Sequence, residues 1–142
     1  MEKLPSVVAD IMSSPAVTLD GDVCVKDAAI LMTDRQIGSI VITESGQPLG
    51  IVTERDMIER IVSPCRDPCE TKIREVMSTP LITILKETSI LSAMRKMREN
   101  YISRLVVMDD ATLLGIVSER DIIRAVSIAS LTSFSTLLRK RG

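Results

Sequence analysis

Two copies of one unit lie end to end in this chain. Sliding the 142-residue sequence over itself by 65 positions, without a gap, sets Met12 on Met77, Ser13 on Ser78, Pro15 on Pro80, Thr18 on Thr83, Ala28 on Ala93, Met32 on Met97 and Val41 on Val106. The match is densest where Leu49-Gly50-Ile51-Val52 meets Leu114-Gly115-Ile116-Val117 and Glu54-Arg55-Asp56 meets Glu119-Arg120-Asp121. A gapless internal repeat is one supersecondary unit used twice. Whatever fold serves Asp10 to Ile61 must therefore also serve Glu75 to Val126.

Each copy opens with a short helical turn ending at Met12 or Met77, then a Pro, then an extended stretch over Ala16 to Leu19 or Leu81 to Leu85. Apolar residues then recur at three- and four-residue spacing, as Val25, Ala28, Ala29, Met32 and as Ile90, Ala93, Met94, Met97, which predicts an amphipathic helix. Ile40-Val41-Ile42 and Leu49 to Val52 flank a turn at Glu44-Ser45-Gly46-Gln47, and Leu105 to Met108 and Leu113 to Val117 flank Asp109 to Thr112, so a β-hairpin follows. A second helix, with Met57, Ile58 and Ile61 or Ile122, Ile123 and Val126 turned inward, closes the unit. The fold class read from this order is α+β, two β-α-β-β-α repeats packed about a pseudo-twofold axis over one shared core. Residues 1–62 form the first repeat with its N-terminal segment, 63–72 a linker, 73–126 the second repeat and 127–142 a helical tail.

Composition narrows the function classes. Eighteen Lys+Arg against nineteen Asp+Glu leave a net charge of -1, so no global field draws the chain to nucleic acid or anionic lipid. Tyr101 and Phe134 are the whole aromatic supply, which removes the stacking platforms of single-strand binders. The opening Met-Glu-Lys-Leu-Pro lacks the features of a signal peptide, no run is long enough to span a bilayer, and three cysteines do not make a secreted disulfide framework. These points favour a soluble cytoplasmic protein with no membrane or nucleic-acid partner.

The chemistry-bearing motif is Gly50-Ile51-Val52-Thr53-Glu54-Arg55-Asp56, repeated as Gly115-Ile116-Val117-Ser118-Glu119-Arg120-Asp121 at a strand-to-helix junction. A helix N-terminus offers backbone N–H groups and the positive end of the dipole to an anion such as phosphate. Thr53 or Ser118 adds a hydroxyl there, and Asp56 or Asp121, three residues on, has a carboxylate able to accept from a vicinal diol such as a ribose. The same letters also spell a capping box, which starts a helix with no ligand at all. Both readings stay open on local chemistry alone.

Gly-hydrophobic-hydrophobic-[Thr/Ser]-x-x-Asp after a Met-x-x-Pro opening resembles the cystathionine-β-synthase (CBS) domain, and the likeness covers nearly all of both copies. A tandem pair is similar to the Bateman module, whose members bind AMP, ADP, ATP or S-adenosylmethionine between paired motifs, the Ser/Thr approaching phosphate and the Asp the ribose. On that resemblance one site takes Ser118 and Asp121 with Thr18, Ile37, Gly38 and Ser39, and the other takes Thr53 and Asp56 with Thr83, Ile102, Ser103 and Arg104. The sites are expected to differ, since Arg104 has Ser39 as its repeat-mate and Arg124 has Glu59. A desolvated contact from Arg104 to a phosphate is worth roughly 1.5–3 kcal/mol. The strand position that often carries Pro in this family has Val41 and Val106.

Cys65 and Cys69 lie four apart in the linker, but with no histidine in the chain a metal site is not expected. Beyond the second copy, Ile128, Leu131, Phe134, Leu137 and Leu138 recur at helical spacing before Arg139-Lys140-Arg141, the pattern of a helix that packs across a dimer partner or of a docking tail. No nucleophile stands with a recognisable base and no Gly-rich phosphate loop carries a Lys, so no catalytic residue, metal or resident cofactor is assigned. The sequence reads as a regulatory module that binds adenine nucleotide and signals to a partner through homodimer geometry, the alternative being a ligand-independent scaffold.

Overall fold

The computed structural model describes residues 4–141, with the side chains of 132–134, 136, 137, 140 and 141 outside that description. Phe134, Leu137, Lys140 and Arg141 of the expected tail pattern are among those side chains. Ten labelled elements follow the repeat: β1 (Thr18–Asp20), α1 (Val25–Arg35), β2 (Ser39–Glu44), β3 (Gln47–Thr53) and α2 (Glu54–Met57), then β4 (Thr83–Leu85), α3 (Ile90–Asn100), β5 (Arg104–Asp109), β6 (Thr112–Ser118) and α4 (Glu119–Arg141). The order β-α-β-β-α occurs twice, as the sequence predicts.

Each copy makes a three-stranded sheet, ordered β1-β2-β3 or β4-β5-β6. The first pair is parallel, Thr18 opposite Val41 and Thr83 opposite Val106, and so needs a helical crossover; α1 and α3 supply it. The second pair is an antiparallel hairpin, Ile40 opposite Val52 and Leu105 opposite Val117, with a register irregularity at the same place in each copy, Ile42/Thr43 and Val107/Met108. Both crossover helices stop at a left-handed residue, Gln36 or Tyr101, whose N–H returns to carbonyls of the last turn. The strands begin later than the apolar pattern suggested, at Thr18 and Thr83.

The chain divides into two compact units, and they do not coincide with the two repeats. One joins residues up to Pro15 to Ile82 and beyond; the other is Ala16 to Leu81. The opening segment of each repeat has thus been given to the other copy. Val8 is fully buried in a cluster with Ile84, Ala93, Met97, Leu105, Val107, Val117 and Ile122. Its N–H donates to Thr88 O at 2.9 Å, and Ser13 exchanges two main-chain bonds with Ile116, at 2.9 and 3.0 Å. In the other unit Ile73 and Val76 close a cluster of Val25, Ala28, Met32, Ile40, Ile42, Val52 and Ile61, with Ser78 exchanging the same two bonds with Ile51. Each unit thus has its own cluster of buried side chains, completed by a borrowed turn.

The closing helices differ from expectation. Ile58 and Ile123 are more than half exposed, as is Val126, and only Ile61 and Ile122 are buried. One inward apolar stripe is buried on each helix, and Met57 shares that of α2 as a half-buried neighbour. α2 passes after Met57 into a π-helical stretch, Ile58–Val62, and stops before Pro64, whose ring disfavours helix in the preceding residue. The second copy has Ala129 there, so α4 runs on through Arg141 and the expected tail is continuous with the repeat's own helix.

Candidate functional site

β3 and β6 each deliver their last residue, Thr53 or Ser118, to the N-cap of the helix that follows. There the chain must satisfy the first N–H groups of the helix. Glu54 N–H donates to Gly38 O at 3.2 Å and Glu119 N–H to Ser103 O at 2.8 Å, so the loop after each crossover helix takes the first donor. The third is taken by the cap: Asp56 N–H donates to Thr53 Oγ1 at 3.3 Å, and Asp121 N–H to Ser118 Oγ at 3.1 Å. Each carboxylate reaches back to the cap residue's N–H, at 2.9 Å from Thr53 and 2.8 Å from Ser118. Both motifs are complete capping boxes. The anion-binding capacity expected of these helix ends is therefore largely spent within the fold.

Beyond the box the two motifs part. Asp56 is buried, and its Oδ2 also accepts from Thr53 Oγ1 at 3.2 Å while its Oδ1 accepts from Ser78 Oγ at 3.0 Å. Arg60 Nε lies 3.9 Å from Oδ1. Asp121 is half-buried, and among the described residues its Oδ1 accepts from nothing. Ser118 Oγ accepts from Asp121 but donates to no described group, which leaves its proton free for an acceptor.

The structure gathers the candidates by repeat. Ser39 is opposite Thr53 in the β2–β3 ladder, and Arg104 is opposite Ser118 in the β5–β6 ladder. Directly opposed residues leave the sheet on the same face. Gly38, Ser39, Thr53 and Asp56 therefore sit together, as do Ser103, Arg104, Ser118 and Asp121. Thr18 and Thr83 open β1 and β4, two strands from the motifs across β2 or β5, and Ile37 and Ile102 follow the crossover helices and pack on the core clusters. Ser39 is buried, whereas Arg104 is half-exposed and, among the described residues, its guanidinium makes one long bond, 3.4 Å to Ser103 Oγ. The grouping implied by resemblance, Arg104 with Thr53 and Asp56, draws on both units; within its own unit Arg104 stands beside Ser118. A cavity of about 360 Å³ lies between α3 and α4, walled by Met94, Met97, Tyr101, Ile122 and Ile123, and touches Ile102 alone of the candidates.

Sequence reasoning missed Ser78 and Arg60. Arg60 stands four residues after Asp56, a spacing at which an acid and a base can pair on a helix, whereas Ser78, visible only as an identity with Ser13, carries no signal for a partner 22 residues away. Cys65 and Cys69 are free and exposed, and no cluster of potential metal ligands occurs among the described residues.

The family model for the CBS domain matches residues 8–63 and again residues 73–128. The chain belongs to the CBS domain family. Among its relatives, the mitochondrial CBS domain-containing protein CBSX3 of Arabidopsis thaliana is 34% identical over 133 residues, covering 85% of this chain and 65% of that protein. An uncharacterized Methanopyrus kandleri protein, MK0525, is 38% identical over 100 residues, 69% of this chain and 51% of its own length. The chain thus spans between half and two-thirds of these two relatives. The solved CBS domain pair of protein MJ0100, in complex with 5-methylthioadenosine and S-adenosyl-L-methionine, superposes with a TM-score of 0.76 at 27% identity, covering 85% of this chain and 95% of that one. CBS pairs of this kind are regulatory ligand-binding modules, and no described helix is long and apolar enough to cross a membrane.

Proposed function

We propose that this chain is a regulatory CBS module that binds an adenosine-containing ligand, AMP, ADP, ATP or S-adenosylmethionine, and passes the signal to a partner protein through the geometry of a homodimer. The observation that carries the reading is the second motif. On one side of its sheet stand a cation, Arg104, a hydroxyl with an undonated proton, Ser118, and a carboxylate with an oxygen unengaged by described residues, Asp121. Cation and hydroxyl suit a phosphate or a carboxylate, and the free carboxylate oxygen suits a ribose diol. Thr83, Ile102 and Ser103 of the same unit are the further contacts, with aliphatic side chains against the base. The MJ0100 pair, which holds two adenosine derivatives, supports the ligand class. Signalling requires that the ligand bind one dimer geometry better than the other.

Calorimetry with the four ligands tests the reading. A saturable heat is expected with at least one, weakened by Asp121→Ala, and light scattering with and without that ligand reads the dimer. No heat from any of them at high micromolar concentration overturns the sensor. A second reading, a scaffold that needs no ligand, is favoured at one place only: the Thr53–Asp56 box, which is already satisfied from within the fold.

A further inference from the structure

The two motifs share their letters but differ in how much of each carboxylate is in use. A carboxylate offers about four lone-pair positions. On Asp56 they meet Thr53 N–H, Thr53 Oγ1, Ser78 Oγ and, at the edge of ion-pair distance, Arg60 Nε. Asp121 receives Ser118 N–H alone from the described residues. Under the 65-residue shift Ser78 corresponds to Ser13, which is exposed and whose hydroxyl has no described bond, and Arg60 corresponds to Ala125.

The extra contacts on Asp56 all lead to one place. Ser78 Oγ comes from the opening turn of the second repeat, and Arg60 Nη1 donates to the carbonyls of Val76 at 2.9 Å and Met77 at 2.7 Å in the same turn. Asp56 is thus the hub of a polar clasp that ties residues 76–78 to the start of α2. A ribose diol reaching Asp56 would have to displace Ser78 or the Thr53 hydroxyl, exchanging one hydrogen bond for another at a buried carboxylate and leaving an orphaned donor behind. Such an exchange gains little, because a net hydrogen bond is small while an unsatisfied buried group is costly.

We propose that Asp56, Ser78 and Arg60 form a structural clasp on the inter-repeat turn, and that ligand hydroxyls are taken by Asp121 alone, one ligand per chain. The ligand half of this rests on the adenosine reading above; the clasp does not.

The test uses the full chain and whichever of AMP, ADP, ATP or S-adenosylmethionine gives heat. One equivalent per chain is expected, with Asp121→Asn lowering affinity about tenfold or more. Arg60→Ala, which installs the second repeat's own residue, and Ser78→Ala are expected to keep stoichiometry and affinity within about twofold. Both should speed native-state amide exchange at Met77 and Ser78 about tenfold. Two equivalents per chain, or full binding by Asp121→Asn, overturns the assignment to Asp121. Unchanged exchange in both clasp variants overturns the clasp. If none of the four ligands gives heat, the adenosine reading falls and the ligand half falls with it, while the exchange data still decide the clasp.

Discussion

Gly115 has no room for a side chain, since a Cβ there would run into the carbonyl of Ser13; at Gly50 it would meet Met77 Sδ at 2.7 Å and Ser78 O at 2.9 Å. The glycine of the motif is thus required by the borrowed turn that crosses it, and the Met-x-x-Pro opening of one repeat is matched to the Gly of the other. Gly115→Ala must push backbone, not a flexible side-chain end. It should cost about 1–3 kcal/mol by the scale of overpacked cores, read as a lower urea midpoint at constant slope. The sequence displayed both glycines in register, but their reason was hidden because Ser13 and Gly115 lie at opposite ends of the chain. Glu75 is a second position where one residue answers for a turn. Lys72 N–H at 2.8 Å holds its carboxyl below the ordinary glutamate value of 4.5, against partial desolvation and with help from Arg66 at 2.9 Å. Because the folded value is lowered, its contribution is complete above the unfolded value and fades as pH falls through the folded one. The melting-temperature gap between wild type and Glu75→Gln should therefore be widest near neutrality and narrow below about pH 4.5; a gap that grows in acid would contradict this.

At the scale of elements, α1 and α3 were the most legible, because their buried residues, Val25, Ala28, Met32 and Ala93, Met97, fall on the spacing that the apolar pattern shows. The closing helices were not. Ile58 and Ile123 carry the same pattern yet face outward, since hydrophobic period fixes a stripe but not how wide a stripe the rest of the unit covers. The motif's local geometry was half legible: the capping box was visible in the letters, and Arg60 lies at the i,i+4 spacing from Asp56, but the bond from Ser78 that fills the other carboxylate oxygen comes from 22 residues away and no local pattern reveals it. Comparison of the crossover helices gives a further expectation. Ser89 caps α3, its Oγ accepting from Ser92 N–H at 3.1 Å, whereas its counterpart Cys24 takes the same extended backbone before α1 with no side-chain bond. Cys24→Ser should supply the missing acceptor to Asp27 N–H and raise stability by about 0.5–1 kcal/mol, and Ser89→Ala should lower it by about 1 kcal/mol, the usual range for N-caps. Paired urea melts check both signs.

For the whole molecule, the decisive feature is that repeat and folded unit are different things. The duplication is written in the sequence at a shift of 65, but the exchange of leading segments is not, because Val8 and Ile73 are equivalent apolar residues whichever copy they serve. Only the packing shows that Val8 belongs with Leu105 and Val117, and Ile73 with Ile40 and Val52. A substitution in the opening turn of one repeat should therefore loosen the sheet of the other. Val8→Ala removes two buried methyl groups and leaves a cavity, a loss of about 2 kcal/mol, and Ile73→Ala removes more, about 2–5 kcal/mol. Under native conditions, where local openings are read separately from global unfolding, Val8→Ala should speed amide exchange in β5 and β6 while β2 and β3 stay protected. Ile73→Ala should do the reverse. If each substitution instead loosened the repeat that follows it directly in the chain, the exchanged segments would be peripheral and the compact units would coincide with the repeats. The distinction bears on regulation, because a turn that completes one repeat's core is covalently the entrance to the other.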